Sequence, residues 1–209
     1  FFDELLKFLI EVNKTKNYKL YAKESLKSYG DLRKQVISRY KNFKKIDFNK
    51  IFKMKVKKID LFLKKILKDN PKNKKLIISR KIISQSDIGF HNCAFHKKKL
   101  FFFDFEYSGL DNPIKMICDI YYQPEKIIKK KYMLKFIKDF QEKFKFELPS
   151  NFNLFEKLFR AKMMLIILNI FLKDTKKFQT RLSNYKLKKL QLERLNKVYK
   201  LMKKTYLYE

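Results

Sequence analysis

Three polar side chains in the middle of the chain have the types and spacing that phosphoryl transfer requires. Asp87 precedes Asn92 by five residues, and a short apolar run then leads to Asp104 within an Asp-Phe-Glu sequence. A carboxylate can orient an attacking hydroxyl or accept its proton, while an amide and a second carboxylate supply oxygen ligands for Mg²⁺. We interpret Asp87 as the acid/base candidate and Asn92 and Asp104 as candidate metal ligands. Glu106 could project toward the same metal or toward the acceptor.

A β-hairpin is predicted between these residues. Residues 93–95 and 100–103 are apolar runs on either side of a His-Lys-Lys-Lys turn. A hairpin of this length can bring Asn92 and Asp104 side by side. Taken alone, the Asp-x4-Asn spacing also suits a capped turn, with Asp104 as a strand-end acid.

The remaining elements are mostly helical. Short β-like runs occur at residues 76–78 and 82–83. Apolar residues at helical spacing predict helices at residues 2–13, 22–43, 48–68, 113–122, 128–146, 151–173 and 183–206. We therefore expect an α+β fold, mostly helical, that forms one domain or one large lobe over residues 1–209.

The net charge of +31 suggests nucleic acid or an anionic surface as a partner. However, only six of the 52 basic residues are Arg, the residue preferred for planar recognition of bases and phosphates. Lys is spread evenly with Ile, Phe and Asn, as A+T-rich codons would give. We favour solvated faces and genome bias over a functional basic surface, and we expect no specific nucleic-acid partner.

The cysteines and the most apolar segment indicate the compartment. Cys93 and Cys118 make neither a disulfide framework nor a CxxC motif, so a reducing cytoplasm is the expectation. Residues 163–172 are too few to span a bilayer, and we expect no transmembrane segment.

His91 and His96 with Cys93 lack the second ligand pair of a structural zinc site. We place His91 in the loop near the acid/base candidate.

Residues 84–124 resemble the catalytic segment of the aminoglycoside phosphotransferase (APH)/choline kinase-like family, within the protein-kinase-like fold. In that family a His-Gly-Asp-x4-Asn loop is followed by a hairpin, by Asp-Phe-Glu or Asp-Trp-Glu, by Tyr-x-Gly-x-x-Asp-Pro and by a helix that bears an Asp. The matching residues here are Gln85-Ser86-Asp87, Asn92, Asp104-Phe105-Glu106-Tyr107, Gly109, Asp111-Asn112-Pro113 and Asp119. The Ser-Asp-x-Gly-Phe-His-Asn sequence is similar to that of bacterial members of this family whose genes are often found among genes for cell-surface saccharides.

This resemblance implies roles for the candidate residues. Asp87 would be the catalytic acid/base, and Asn92 and Asp104 would bind Mg²⁺, with ATP as the phosphoryl donor. Asp119 would brace the catalytic loop, and His91 would support the same loop. The implied function is phosphoryl transfer to a hydroxyl of a small molecule, such as a sugar or a surface-polysaccharide precursor.

Two departures from the family pattern limit what the chain could do. Gln85 replaces the His that begins the family's loop. Three glycines in the whole chain cannot build a glycine-rich phosphate loop, and no strand lysine has the expected context. Because residues 1–13 fit the helix that opens a kinase C-lobe, we expect a C-lobe with a small hairpin at the catalytic loop. The N-lobe would lie upstream or on a separate chain.

Two alternatives stay open at this point. The chain could be a non-catalytic basic binding protein, a degenerate kinase lobe that contacts anionic surfaces or partners. It could also be an incomplete reading frame that is inactive by itself.

Overall fold

The computed structural model describes residues 1–15, 17–70, 81–97, 99–172 and 182–208. Within these ranges the helices α1 to α7 are Phe2–Val12, Tyr29–Lys44, Lys53–Asp69, Pro113–Tyr122, Lys130–Phe144, Phe152–Ile167 and Asn184–Lys203. The strands β1 to β4 are Ile82–Ser84, Cys93–His96, Lys99–Phe102 and Gly109–Asp111. They form two antiparallel two-stranded sheets, β1 with β4 and β2 with β3. The mostly helical α+β class agrees with the prediction.

Most predicted helices agree with the structure apart from their ends. α4 has the predicted bounds, whereas short 3-10 turns begin the third predicted helix at Lys50–Phe52 and end the sixth at Leu168–Phe171. The strand predicted at residues 76–78 lies outside the described residues. Across the described ranges, no helix combines the length and apolar character needed to cross a membrane.

The prediction of a helix over residues 22–43 is wrong at its beginning. The helix begins at Tyr29, because the preceding segment forms hydrogen bonds with β4 instead. The amide of Ala22 donates to the carbonyl of Leu110 at 3.1 Å. A Cβ added at Gly109 would lie 2.5 Å from the Ala22 nitrogen, so the absence of a side chain permits this approach. The tertiary contact overrides the helical spacing of the apolar residues.

The chain divides into two compact units. The first unit consists of Phe1–Tyr29, Lys75–Asn153 and Leu207–Glu209, and the second consists of Gly30–Lys74 and Leu154–Tyr206.

The core of the first unit is built around α4, of which nine of ten residues are buried. α1 packs against α5, with the Phe2 and Phe136 rings stacked at a centroid distance of 5.0 Å. α1 also contacts β3, where the Phe8 and Phe102 rings stack at 4.4 Å. Because α1 also contacts β1, this helix packs against one strand of each sheet of the unit.

The second unit is helical. α3 packs against α7, and the Tyr199 hydroxyl of α7 donates to the Lys55 carbonyl of α3 at 3.1 Å. α7 also contacts the 3-10 turn Leu168–Phe171. The fully buried side chains of the second unit include Leu32, Val36, Ile59, Leu63, Phe155, Phe159, Leu195 and Val198.

Candidate active site

A short loop after β1 carries Asp87 into solvent. Gln85 and Ser86 at the beginning of the loop are buried, whereas the Asp87 side chain is 52% exposed. Asn92, at the end of the loop, is buried. Its Nδ2 donates to the Asp87 carbonyl at 2.9 Å and lies 3.4 Å from Asp87 Oδ2. The two polar candidates of the loop are therefore joined directly.

The hairpin of β2 and β3 relates Asn92 to Asp104. The strands pair with Cys93 opposite Phe102, and the amide of Phe103 donates to the Asn92 carbonyl at 3.1 Å. Asp104 is the next residue, and it is exposed. The bonds to Asp87 use the amide nitrogen of Asn92. Its Oδ1, the atom that could bind a cation, takes no part in them.

Gln85 ties the beginning of the loop to the Asp104 segment. Its Nε2 donates to the carbonyls of Phe103 and Asp104, the latter at 3.2 Å. Asp104 has a φ of +63°, a left-handed conformation that is uncommon outside glycine. Gln85, which stands where the resembled family has His, therefore joins the beginning of the loop to the backbone at Asp104.

His91 lies between two carboxylates. Its Nε2 is 3.3 Å from Asp87 Oδ2, and its Nδ1 is 3.8 Å from Glu125 Oε2. The hydrogen bond with Asp87 raises the pKa of His91, burial opposes this rise, and the charge of Glu125 adds to it. A Cβ at Gly89 would lie 2.5 Å from the imidazole ring, so the missing side chain makes room for His91.

The same contacts lower the pKa of Asp87. The hydrogen bond from His91 is the largest cause, burial works against it, and the charge of Lys115 adds to the lowering. Asp87 is therefore ionised at neutral pH, the state in which a carboxylate can accept a hydrogen bond from a hydroxyl.

Asp119, the predicted brace, is joined to Lys115. The Asp119 Oδ2 lies 2.8 Å from Lys115 Nζ, which donates to the Ser86 carbonyl at 3.1 Å. Lys115 also lies 2.8 Å from Asp111 Oδ2. The sequence interpretation missed Lys115, although acid, Lys and acid follow one another at intervals of four residues. Among 52 basic residues, one lysine does not stand out.

Glu106 follows Asp104 in an exposed turn, where the amide of Ser108 donates to the Phe105 carbonyl at 2.9 Å. Within the described residues, no hydrogen bond or ion pair joins Glu106 to the Asp87 loop.

The donor set suits Mg²⁺ better than a transition metal. In the described part of the chain, no three His, Cys, Asp or Glu side chains are grouped as metal ligands. Asn92 and Asp104 offer one amide oxygen and one carboxylate. Mg²⁺ fits such a sparse set of oxygens, because it keeps several waters and completes its shell with substrate phosphates.

The chain shares its fold with solved structures of another protein. Two solved structures that share it are those of spectinomycin phosphotransferase APH(9)-Ia, one bound to AMP and the other to ADP and spectinomycin. The AMP complex has a TM-score of 0.57 and 13% identity, and the alignment covers 95% of this chain and 65% of that chain. For the ADP complex the values are 0.53, 12%, 96% and 64%.

This likeness establishes the fold alone, over about two thirds of the neighbours' length. It does not favour the alternative of a non-catalytic basic binding protein. No protein-family model and no curated protein matches the chain.

Proposed function

We propose that this chain carries the catalytic segment, residues 84–124, of an ATP- and Mg²⁺-dependent phosphotransferase that acts on a hydroxyl of a small molecule. The observation that carries the proposal is the bond between Asn92 Nδ2 and the Asp87 carbonyl, together with the bond from the Phe103 amide, next to Asp104, to the Asn92 carbonyl. These bonds connect the segments that carry Asp87, Asn92 and Asp104, and phosphoryl transfer needs groups of these three kinds. The kinase-like fold, found in phosphotransferases bound to AMP and ADP, supports it.

Asp87 is the group that handles the acceptor's proton. Its carboxylate is ionised and half exposed, so a hydroxyl from solvent can reach it. It would orient the hydroxyl and accept its proton as the oxygen attacks the γ-phosphate. The bonds from Asn92 and His91 keep the carboxylate in place and limit its basicity.

Asn92 and Asp104 are the residues that would hold Mg²⁺. When bound, the ion neutralises developing charge on the phosphate oxygens of ATP. Asn92 is fixed by burial and by its bond to the Asp87 carbonyl, while Asp104 is fixed at its backbone by Gln85. Glu106, in the exposed turn after Asp104, remains a candidate contact for the metal or for the acceptor.

The acceptor belongs, in this proposal, to the class of small alcohols. A sugar or a surface-polysaccharide precursor is the form suggested by the Ser-Asp-x-Gly-Phe-His-Asn resemblance. Asp119 and His91 act on the loop as bracing residues.

Isothermal titration with ATP, in the presence and absence of Mg²⁺, tests the metal assignment in a full-length protein that includes the expected nucleotide lobe. We expect Mg²⁺-dependent binding that Asp104→Ala abolishes or weakens strongly. Asp69→Ala, an exposed carboxylate at the end of α3, is the matched control and should bind as the unmodified protein does. Binding that is absent, or that is unchanged by Asp104→Ala, contradicts the proposal.

The role of Asp87 is tested by transfer of radiolabelled γ-phosphate to a panel of hydroxylated small molecules. Asp87→Asn should retain MgATP binding and lower the transfer rate by about 10²–10⁴-fold, the usual contribution of general acid–base catalysis. Equal rates for both proteins would remove Asp87 from the mechanism.

A further inference from the structure

A buried lysine connects α4 to the backbone of the loop that presents Asp87. Lys115 is 3% exposed, and its Nζ lies 2.8 Å from Asp111 Oδ2 and 2.8 Å from Asp119 Oδ2. The same ammonium donates to the Ser86 carbonyl at 3.1 Å and to the Ser86 hydroxyl at 2.9 Å. All of its neighbours here are oxygen acceptors, so a charged donor is well matched to the position.

The two carboxylates keep this lysine charged. Burial alone lowers the pKa of Lys115, but the charges of Asp119 and Asp111 outweigh burial and raise it. Asp111 is 0% exposed and Asp119 is mostly buried, so the three side chains form a closed cluster. A buried ion group of this kind depends on every member being hydrogen-bonded.

Ser86 holds a strained backbone conformation. Its φ is +67°, in the left-handed region that costs conformational energy for any residue with a Cβ. Its hydroxyl lies 3.2 Å from Asp111 Oδ2 and 3.2 Å from the Lys23 carbonyl. Ser86 directly precedes Asp87, so the path of the backbone at Ser86 decides where the Asp87 carboxylate points.

We propose that Lys115 is a positioning residue for Asp87: by binding the Ser86 carbonyl and hydroxyl from the Asp111–Asp119 cluster, it holds Ser86 in the left-handed conformation that presents the Asp87 carboxylate. The inference rests on the proposed function, since it assigns Lys115 to the reaction that Asp87 performs. Asp119 then acts on the loop through Lys115.

The conformation of Ser86 can be measured without any assumption about activity. In an isotope-labelled protein, the Cα and Cβ chemical shifts of Ser86 distinguish left-handed from extended or right-handed backbone. Lys115→Met removes the charged donor at nearly the same side-chain length, and we expect the Ser86 shifts to move away from left-handed values. Unchanged left-handed shifts in this variant overturn the proposal.

Two further variants keep this experiment decisive. If Lys115→Met does not fold, the triple variant Asp111→Asn, Lys115→Met, Asp119→Asn removes the stranded carboxylate charges, and the same shift change is expected. Lys162→Met is the matched control, because Lys162 is also buried but lies in the second unit. It should leave the Ser86 shifts and the transfer rate unchanged.

Activity supplies a second readout. We expect Lys115→Met to lower kcat by about a hundredfold, the effect of a small misplacement of a reacting group, with MgATP affinity unchanged. Glycine adopts positive φ without the Cβ penalty, so adding Ser86→Gly to Lys115→Met should restore part of kcat. No restoration, or a loss confined to MgATP affinity, contradicts a positioning role.

The two readouts separate failure of this inference from failure of the proposed function. If no acceptor is ever phosphorylated while the Ser86 shifts move as expected, the proposed function fails and the contact between Lys115 and the loop stands. If transfer occurs while Ser86 is insensitive to Lys115, only the positioning role fails.

Discussion

Lys115 in the first unit and Lys204 in the second are both shielded from water, yet their surroundings shift their pKa in opposite directions. Burial lowers the pKa of Lys115, but Asp119 and Asp111 more than compensate and raise it. Lys204 has a different neighbourhood. Burial lowers its pKa and the nearby Arg160 lowers it further, so that it falls from 10.5 to about 8.

The buried cations of the two units also differ in what they contact. In the first unit, the ammonium of Lys115 is directed at the backbone of one exposed loop. In the second unit, the Arg160 guanidinium donates to the Met202 carbonyl and lies 4.7 Å from the Tyr206 ring centroid and 5.2 Å from that of Phe62. The first arrangement contacts the residue that directly precedes Asp87, the proposed acid/base.

Replacing Lys115 is expected to have the largest effect on stability. Lys115→Met leaves Asp111 and Asp119 as buried carboxylates without their cation, so the free energy of unfolding should fall by about 3–5 kcal/mol. Urea denaturation at pH 7 measures the change. A loss of less than about 1 kcal/mol would mean that water reaches the cluster and screens it as on an exposed surface.

The same substitution at Lys204 should have the opposite sign. Below pH 8 Lys204 is charged in both the folded and the unfolded state, and holding that charge away from water and near Arg160 disfavours the folded state. We expect Lys204→Met to raise the free energy of unfolding at pH 7 by about 2 kcal/mol, since each pKa unit is worth about 1.4 kcal/mol before solvent screening.

The pH dependence checks the cause of that gain. A lowered lysine pKa means that the folded protein binds fewer protons between about pH 8 and 10.5, so its stability rises with pH across this window. The difference between Lys204→Met and the unmodified protein should therefore shrink as the pH rises to 10.5. A constant difference would assign the effect to packing instead of charge.

The sequence predicts best where local chemistry decides the structure. α4 begins and ends at the predicted residues, since Asn112 caps it by accepting from the Ile114 amide at 2.8 Å and Pro113 occupies its first turn. The spacing of Asp87 and Asn92 likewise describes a pair that hydrogen bonds join within one loop.

The parts that sequence reasoning missed depend on distant contacts. The segment before α2 is apolar at helical spacing, yet hydrogen bonds between Ala22 and Leu110 hold it beside β4. The left-handed backbone of Ser86 has one local partner, the Ser84 hydroxyl that accepts from its amide at 3.0 Å, but Lys115, which donates to its carbonyl and hydroxyl, is 29 residues away. Such positions follow from tertiary structure, and local patterns do not encode them.

The smallest expected effect concerns His91, and it sharpens the contrast between buried and exposed charge in the first unit. The raised pKa of His91 gives stability that is complete below 6.5 and lost as pH rises through the folded value. The lowered pKa of Asp87 gives stability that is present above 3.8 and lost as pH falls. The pair therefore stabilises the fold most between about pH 4 and 6.5, by less than about 1 kcal/mol because both side chains are substantially exposed.

His91→Asn should remove this advantage, which is seen as a difference in unfolding free energy at pH 5.5 that decreases as the pH is raised through the folded pKa of His91. In the Asp87→Asn background the same substitution should matter less, since the principal partner of His91 is then neutral, while Glu125 still attracts it at 3.8 Å. Gly89→Ala should reproduce the loss, because its Cβ would displace the imidazole ring. An effect of His91→Asn that is equal with and without the Asp87 charge would mean that His91 stabilises the loop by packing, as a neutral ring could.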